Sequence, residues 1–485
     1  MNQIETKPFF PFLFCSSFVY AMFYAFCFYD NSAGIMQPIF LLGTFLFLYL
    51  LKRKLPLISK AKVSVYAIAI MLLSISTVLT NDDTILIFNR LGIFLLLVCM
   101  VLDQLYGSGR WGFLTHTRNL FQVILGSLIH IFTPFRDGYA YAKTSEKKHR
   151  NPILSVVLGM IIGIPMLLVI GALLLSSDHV MLHMFSELFE NLDSLPGHIL
   201  RSTRLVVWIF CVTYGAVVYV LKGKLRTSTT EVNPMNPYLI IGITTPITIL
   251  YFIYSWIQIL YLFIGKADLP DSYTYASYAR EGFFQLLLVC SFNLILVLVS
   301  LHFFQRSRVV NGILTCISLC TYIMLASSCL RMIMYIRYYY MTYLRILVLW
   351  ALVVLFFLLT GIVYSIYKKG FPLFRYGMVV VTCCYLLLAF SKPDYWIAKI
   401  NCGNLESSTE TSGFFLGEPY RDYYYLKKLS LDAAPITLVV SEYYNDQAYW
   451  LDYYTASCDN LGVRNYNVSV AYAKYLRDQQ STSSY

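Results

Sequence analysis

Charged residues are scarce in this chain. Only 13% of its 485 residues are Asp, Glu, Lys or Arg, whereas 58% are hydrophobic and 17% are aromatic. Soluble proteins carry about twice that share of charge, so this chain has more apolar surface than a water-soluble fold can bury. The composition therefore excludes a soluble enzyme, a disordered chain and a nucleic-acid-binding domain.

The common catalytic and redox motifs are also missing. The chain contains no GxSxG, HExxH or Walker lysine motif, and its 12 cysteines form no CxxC pair. These motifs carry nucleophilic, zinc, phosphate-binding and redox chemistry. Their absence indicates a protein without a cofactor and argues against an enzyme, although an enzyme that lacks such motifs stays open.

Long apolar stretches dominate what is present. A membrane-crossing helix needs about 20 apolar residues, and eleven stretches meet this requirement. They lie near residues 9–29, 33–51, 63–80, 84–106, 153–175, 203–221, 237–264, 282–304, 309–330, 346–367 and 373–391. The first is too aromatic for a signal peptide and precedes no small-residue cleavage site. The sequence thus predicts an all-α polytopic membrane protein with about eleven transmembrane helices.

The positions of Lys and Arg predict the orientation of these helices. With the N-terminus inside, the predicted inner segments carry 21 basic residues and the five outer loops carry seven. This bias follows the positive-inside rule and explains most of the net charge of +11. An odd number of spans then places the C-terminus outside.

Three regions follow from this segmentation. They are a four-helix membrane region with an inner interfacial helix (1–150), a seven-helix membrane core (151–391) and a small external α-rich C-terminal domain (392–485). Residues 111–133 have apolar side chains at helical spacing but also Arg118 and His130, which is typical of a helix lying in the interface. Within the C-terminal domain, helices are predicted over 421–444, bounded by Pro435, and over 466–478.

Two predicted outer loops contain several tyrosines and more Lys and Arg residues than the positive-inside rule favours for an outer loop. Arginine forks at such a place suit a phosphate or carboxylate group. The alternative is ion pairing with nearby acids within an interfacial tyrosine belt. The candidate anion-binding residues are Tyr278, Arg280, Glu281, Arg331, Arg337 and Arg345.

Three further groups are candidates for a site. Asn89 and Arg90 lie inside the fourth span, where a charge either pairs with a neighbouring helix or contacts a transported ion or substrate. His179, His183 and Glu187 share one helical face, which fits either a weak metal site or the wet side of an amphipathic helix. Cys402 and Cys458 fall in the external region, where a disulfide is a reasonable hypothesis.

A longer pattern resembles a known family. Residues 256–304 include YASYAREGFFQLL, and the pattern continues through ASSCLRMIMYIRYYYMTYLRILVLW (326–350), KPDYWIAKIN (392–401) and YLKKLSLDAAP (425–435). It resembles a bacterial multi-pass membrane family catalogued as domain of unknown function family 4173, close to family 4153, over roughly residues 150–435. The resemblance implies no established activity. The motif positions that it implies are Tyr278, Arg280, Glu281, Arg331, Tyr335, Arg345, Asn401 and Asp432.

These observations predict a transporter-like or sensory component of a bacterial plasma membrane, with an outward-facing site for an anionic or lipid-derived ligand. One alternative is a non-catalytic scaffold or signalling partner that acts through its external C-terminal domain. Another is an envelope enzyme acting on a lipid-linked substrate. The expected partners are the lipid bilayer, an anionic lipid or lipid-linked ligand, and another envelope protein, with no nucleic acid.

Overall fold

The computed structural model describes residues 7–31, 34–55, 64–107, 111–145, 163, 170, 195–222, 225, 234–260, 283–409, 425–443 and 462–483. Within these ranges the chain is helical apart from turns and one isolated β-bridge, between Met235 and Phe304. The prediction of an all-α polytopic membrane protein is confirmed for the part of the chain that the structure describes.

The predicted spans correspond closely to helices. The described α-helices are α1 (Phe10–Phe28), α2 (Met36–Lys54), α3 (Ser64–Leu79), α4 (Asp83–Tyr106), α5 (Phe113–Ile129), α6 (Thr133–Ser145), α7 (Leu195–Leu221), α8 (Pro237–Gln258), α9 (Phe283–Phe303), α10 (Arg308–Tyr339), α11 (Tyr343–Tyr367), α12 (Leu373–Phe390), α13 (Pro393–Thr409), α14 (Ala434–Tyr443) and α15 (Val468–Ser483). Among them, α1, α2, α4 and α7 to α12 contain nine segments long and apolar enough to cross a membrane, and α3 is a shorter apolar helix. Of the predicted stretch at 153–175, all but residues 163 and 170 lie outside the described residues.

Local sequence explains where several of these helices begin and end. Asp82 caps the start of α4, because its Oδ1 accepts a hydrogen bond of 2.8 Å from the backbone amide of Thr84. Gly107 ends the same helix with a left-handed φ of 63°, a conformation that costs glycine little. Ser307 caps α10 through the amide of Val310, at 3.1 Å. These caps satisfy backbone groups that have no partner inside the helix.

Six helices of the N-terminal part form a closed ring. α1 packs against α2, α2 against α3, α3 against α4, α4 against α5, α5 against α7, and α7 against α1. A second group is held together by α10, which packs against α8, α9 and α11. α12 joins the two groups because it contacts α11 as well as α3, α4 and α5.

A glycine permits a close backbone approach between two helices of the ring. A Cβ atom at Gly215 of α7 would lie 2.8 Å from the carbonyl oxygen of His130, just after α5. The two backbones can meet only because glycine has no side chain, as at many small-residue interfaces in membranes. The contact fixes the end of α5 near the last two turns of α7.

α5 stays near one end of the bundle. In its first turn, His116 stacks on Phe374 at the start of α12, with ring centroids 4.2 Å apart. Its far end lies against Gly215, which is still within the last two turns of α7. A helix that crossed the bilayer would carry its two ends to opposite faces. The arrangement therefore favours the predicted interfacial position of residues 111–133, which form α5 and the turn into α6.

The loop ends that the charge pattern assigns to the inside meet at one end of the bundle. We call this end the basic face (residues 52–55, 103–107, 220–222, 304–308 and 366–375). Arg375 at the start of α12 forms an ion pair of 2.7 Å with Asp103 near the end of α4. Arg306 donates to the backbone carbonyl of Ser365 at 3.0 Å.

The opposite end is formed by the other loop ends and the C-terminal helices. We call it the C-terminal face (residues 29–35, 80–82, 340–342, 391–409, 425–443 and 462–483). The Asn467 amide donates to the carbonyls of Thr77 and Thr80 at 3.2 and 2.8 Å, so the C-terminal segment covers the end of α3. The two faces agree with the predicted alternation of sides. That the C-terminal face lies outside the cell stays a prediction.

The C-terminal helices differ in detail from those predicted. Residues 425–443 form a short helical turn, a 3-10 turn at Leu431–Ala433 and then α14, rather than one helix. Pro435 lies at the second position of α14, where the missing amide hydrogen costs nothing, so it begins a helix instead of bounding one. The last helix, α15, begins two residues later than predicted and extends to Ser483.

Candidate functional site

Several predicted site residues lie outside the described residues. They are Tyr278, Arg280 and Glu281 of the anion-site prediction, His179, His183 and Glu187 of the weak metal prediction, and Cys458 of the disulfide prediction. Cys402 is buried in α13, and its pairing with Cys458 stays a prediction. Within the described ranges, no group of three or more His, Cys, Asp or Glu side chains is placed to hold a metal ion.

Arg331 is the predicted anion-site residue that the structure buries among polar side chains. The residue is 5% exposed and connects α10 to α8. Nη2 donates to Oε1 of Gln258 at 3.2 Å, and the Ser327 hydroxyl donates to the same oxygen at 2.7 Å. A buried arginine in a membrane helix is costly, and such residues commonly mark sites for substrates or ions.

Two serines on the same helices have hydroxyl groups without a partner among the described residues. Ser255 is one turn before Gln258 on α8, and Ser328 follows Ser327 on α10. Both side chains are buried, and in the part of the chain that the structure describes neither hydroxyl oxygen has a hydrogen-bond partner. Buried hydroxyls are usually satisfied, so these two are available to a further polar group between α8 and α10.

A second polar contact joins the same helices at the middle of the bundle. Asn293 of α9 is fully buried; its Oδ1 accepts a bond of 2.7 Å from Tyr251, and its Nδ2 donates to Thr321 at 3.0 Å. Asn293 lies halfway along α9. Interhelical hydrogen bonds of this kind hold membrane helices together, and here they link α8, α9 and α10.

The length of α10 places Arg331 at the edge of the membrane. The helix has 32 residues, or about 48 Å at the usual rise of about 1.5 Å per residue, whereas the hydrocarbon layer is about 30 Å thick. Because α10 starts at Arg308 on the basic face, Arg331 lies about 34 Å along it. Arg331 therefore lies towards the C-terminal face.

The other two described arginines of the prediction have different environments. Arg345 donates through Nη1 to the backbone carbonyls of Tyr339 and Tyr340, and its guanidinium lies 4.3 Å from the ring centroid of Tyr335. It therefore caps the end of α10 and holds the turn into α11. Arg337 is exposed on the last turn of α10. The structure thus assigns a structural contact to Arg345, and among the three described arginines of the prediction Arg331 is the buried one.

Asn89 and Arg90 point in different directions. Asn89 is fully buried, where it donates to Ser76 at 3.3 Å and accepts from Tyr385 at 2.9 Å, which ties α4 to α3 and α12. Arg90 is exposed on the surface of the bundle, and within the described ranges it forms no ion pair. Asn89 thus has a packing role in this fold.

Three buried carboxylates at the C-terminal face were missed as a group by sequence reasoning. Asp82, Asp394 and Asp432 are 4%, 5% and 3% exposed. Asp432 accepts hydrogen bonds from the hydroxyls of Thr80 and Ser469, and the Lys392 ammonium lies 3.9 Å away. Asp432 thereby connects the end of α3, the start of α13 and the start of α15.

The other two carboxylates hold neighbouring turns. The Asp394 carboxylate accepts a bond of 2.8 Å from the amide of Ser430. Asp82 caps α4 through Oδ1, while its Oδ2 is buried. The buried Tyr343 hydroxyl lies near this carboxylate and favours its charged form.

Burial shifts the proton affinity of these acids. Burial raises the pKa of Asp394 from 3.8 to about 6; hydrogen bonds from Ser430 oppose the rise, and the charges of Asp82 and Asp432 add to it. Burial also raises the pKa of Asp82, against the effect of the Tyr343 hydroxyl and the amides of α4. The cluster can therefore take up a proton near neutral pH at the membrane surface.

Strained backbone also concentrates at this face. Within the described ranges, the non-glycine residues with positive φ are Asp30 at 48°, Tyr340 at 60° and Lys392 at 52°. All three belong to loop ends of the C-terminal face. Left-handed residues other than glycine persist only where the surrounding structure fixes them, and they are common at functional sites.

The described motif positions of the family resemblance gather at the same face. Asn401 of α13 holds the turn between α10 and α11 through two hydrogen bonds to the backbone of Met341. Its side-chain Oδ1 accepts from the Met341 amide nitrogen, and its Nδ2 donates to the Met341 carbonyl oxygen, both at 2.9 Å. The remaining described motif positions are Arg331, Tyr335, Arg345 and Asp432. The sequence signal that could have identified the carboxylate cluster is the presence of Asp394 and Asp432 in two of these motifs.

Comparison with known proteins gives one match. Residues 67–438 match the family model described as Domain of unknown function (DUF4153). This is the neighbouring family that the resemblance mentioned, not family 4173, and the match also includes the third and fourth predicted spans. No curated protein and no solved structure matches the chain.

Proposed function

This chain belongs to the DUF4153 family, and on that premise we propose that it is a transporter-like or sensory component of a bacterial plasma membrane, which binds an anionic or lipid-derived group at Arg331. The observation that carries the proposal is the burial of Arg331 beside Gln258, between two helices that also carry two buried hydroxyls, Ser255 and Ser328, without a hydrogen-bond partner among the described residues. Guanidinium and hydroxyl donors together suit a phosphate or carboxylate group.

The position of Arg331 supports binding from outside. Arg331 lies at the predicted outer edge of the hydrocarbon layer, and Tyr251, Asn293 and Thr321 join α8, α9 and α10 deeper in the bundle. An anion at Arg331 shifts the packing of α10 against α8, which starts either a transport step or a signal. Both activities begin with the same anion at Arg331.

Replacing Arg331 tests this proposal. We expect the purified full chain to bind glycerol 3-phosphate, measured as a rise in thermal stability with ligand concentration. Arg331→Gln keeps a donor towards Gln258 but removes the positive charge. Removing a buried charged partner costs about 2 kcal/mol or more, so we expect the Kd to rise at least about 30-fold.

Arg337→Gln is the matched control, because this arginine is exposed and lies six residues further along the same helix. We expect its Kd to stay at the wild-type value. Equal ligand affinity in Arg331→Gln and wild type would contradict the proposal, and so would no stabilisation of the wild type by glycerol 3-phosphate, inorganic phosphate or a small carboxylate.

A scaffold or signalling role is the second candidate, favoured by the surface of α15. Tyr472 and Tyr475 are exposed and stack with ring centroids 6.5 Å apart. Exposed tyrosines are common at the centre of protein interfaces. If this surface binds another envelope protein, a photocrosslinking residue at Tyr475 gives one discrete heavier product in intact cells, whereas the same residue at Leu387, exposed on α12, gives none.

A further inference from the structure

An apolar cavity lies inside the ring of helices, on the side of the basic face. Its volume is about 290 Å³, and its walls come mainly from α2, α4 and α7. Representative lining residues are Leu48, Leu97, Val101, Ala216 and Val217. We call it the ring cavity.

The ring cavity belongs to the interior of the bundle. Five helices of the ring line it, namely α1, α2, α4, α5 and α7, and each helix of the ring contacts its two neighbours. Apolar cavities of about half this volume bind small hydrocarbons in other proteins, and an empty one forfeits contacts along all of its walls. An apolar occupant is therefore favoured.

The polar groups of the cavity are arranged along its axis. At the deep end, the hydroxyls of Tyr20 and Thr44 bond to each other at 3.1 Å, which leaves that end closed to a polar ligand. At the basic face the lining includes Lys52 and Gln104. Arg53 and Lys54 follow on the last turn of α2. The positive charge of the described residues near the cavity therefore lies at the end towards the basic face.

The length of the cavity matches one leaflet. Thr44 and Lys52 are eight residues apart on α2, or about 12 Å along the helix axis. Half of the hydrocarbon layer is about 15 Å. An acyl chain that enters from the basic face would reach from the lysine to the Tyr20–Thr44 pair without crossing the middle of the membrane.

From these observations we propose that the ring cavity holds an acyl chain of an anionic phospholipid, whose phosphate group pairs with Lys52. The predicted inner position of the basic face fits this occupant, because the cytoplasmic leaflet carries anionic lipids that attract Lys and Arg. The site is at the opposite end of the bundle from Arg331 and does not depend on the function proposed above.

Lipid binding can be measured by native mass spectrometry of the delipidated full chain. The probes are phosphatidylglycerol and phosphatidylcholine with the same acyl chains. We expect one phosphatidylglycerol molecule to bind about tenfold more tightly than phosphatidylcholine. Lys52→Ala should abolish this preference, whereas Lys54→Ala, on the same turn but outside the lining, should retain it.

Filling the cavity provides an independent test. Ala216→Phe should lower binding of both lipids about tenfold, and Val101→Phe fills the opposite wall if the first variant does not fold. Leu46→Phe is the control, because Leu46 lies on α2 with its side chain exposed and outside the lining. Arg331→Gln should leave lipid binding unchanged, which separates this proposal from the first.

Two results would overturn the lipid assignment. One is equal affinity for the two lipids that Lys52→Ala does not alter. The other is unchanged lipid binding in a folded variant with the cavity filled.

Discussion

Asp432→Ala will detach the C-terminal helices from the membrane bundle and lower the free energy of unfolding by about 3 kcal/mol. The reason is that the fully buried Asp432 carboxylate contacts residues at the ends of three helices, α3, α13 and α15. Its loss leaves the Thr80 and Ser469 hydroxyls without their acceptor and removes the negative charge facing Lys392. Buried donors that lose their acceptor pay the desolvation cost in full.

Hydrogen exchange of residues 425–443 and 462–483 in nanodiscs measures this release directly. The control is Asp478→Ala, since this carboxylate is exposed on α15 and contacts Arg477 at the surface. We expect wild-type protection in the control and fast exchange in Asp432→Ala. Wild-type protection in both variants would show that Asp432 does not hold the C-terminal helices.

Acidification will stabilise the same region, by up to about 3 kcal/mol between neutral pH and pH 4. Asp394 has its pKa raised from 3.8 to about 6 in the folded protein, so the folded state binds more protons than the unfolded state between these values. Stability therefore rises as the pH falls through 6, and the gain is complete below about 4. Each pKa unit corresponds to about 1.36 kcal/mol.

The groups around Asp394 determine the size of this effect. The negative charges of Asp82 and Asp432 raise its pKa, the amide and hydroxyl of Ser430 oppose the rise, and Lys392 faces Asp432. Asp394→Asn should remove most of the pH dependence of thermal unfolding. The part that remains belongs to Asp82, whose pKa is raised in the same direction.

Asp83→Asn is the control for this experiment, because Asp83 adjoins the cluster in sequence but is exposed on the first turn of α4. Its stability should follow pH as the wild type does. A wild-type protein whose unfolding does not change between pH 4 and neutral pH, or an Asp394→Asn variant that keeps the full dependence, would refute the titration of this cluster.

Most of the membrane fold could be predicted from the sequence because its signal is local. Each span is a continuous apolar stretch, and the basic residues that flank it restrict which ends share a side. The helix α5 was not among the predicted spans for the same reason, since polar residues such as Arg118 and Gln122 interrupt its apolar pattern, and its interfacial position stays a prediction. The boundaries within 421–444 were not, because Pro435 fits the beginning of a helix as well as its end.

The site was only partly predictable. Arg331 was predicted as a site residue because it is a basic residue on the predicted outer side. Arg345 was predicted for the same reason, but its guanidinium donates to backbone carbonyls at the end of α10. Nothing in local sequence distinguishes these two roles. Asp82, Asp394 and Asp432 are separated by up to 350 residues, and each alone resembles an ordinary loop acid. Only the docking of the C-terminal helices brings them together.

The attachment of residues 464–467 has a consequence for biogenesis. Arg464 donates to the carbonyl of Tyr29 at 2.7 Å, and the Asn467 amide donates to Thr77 and Thr80. These partners lie about 390 to 435 positions earlier in the sequence. The first helices of the nascent polypeptide are therefore inserted long before the C-terminal segment that binds their ends has been synthesised. A ribosome that stalls before residue 464 would leave an inserted but open bundle, which quality-control proteases can distinguish from the finished molecule.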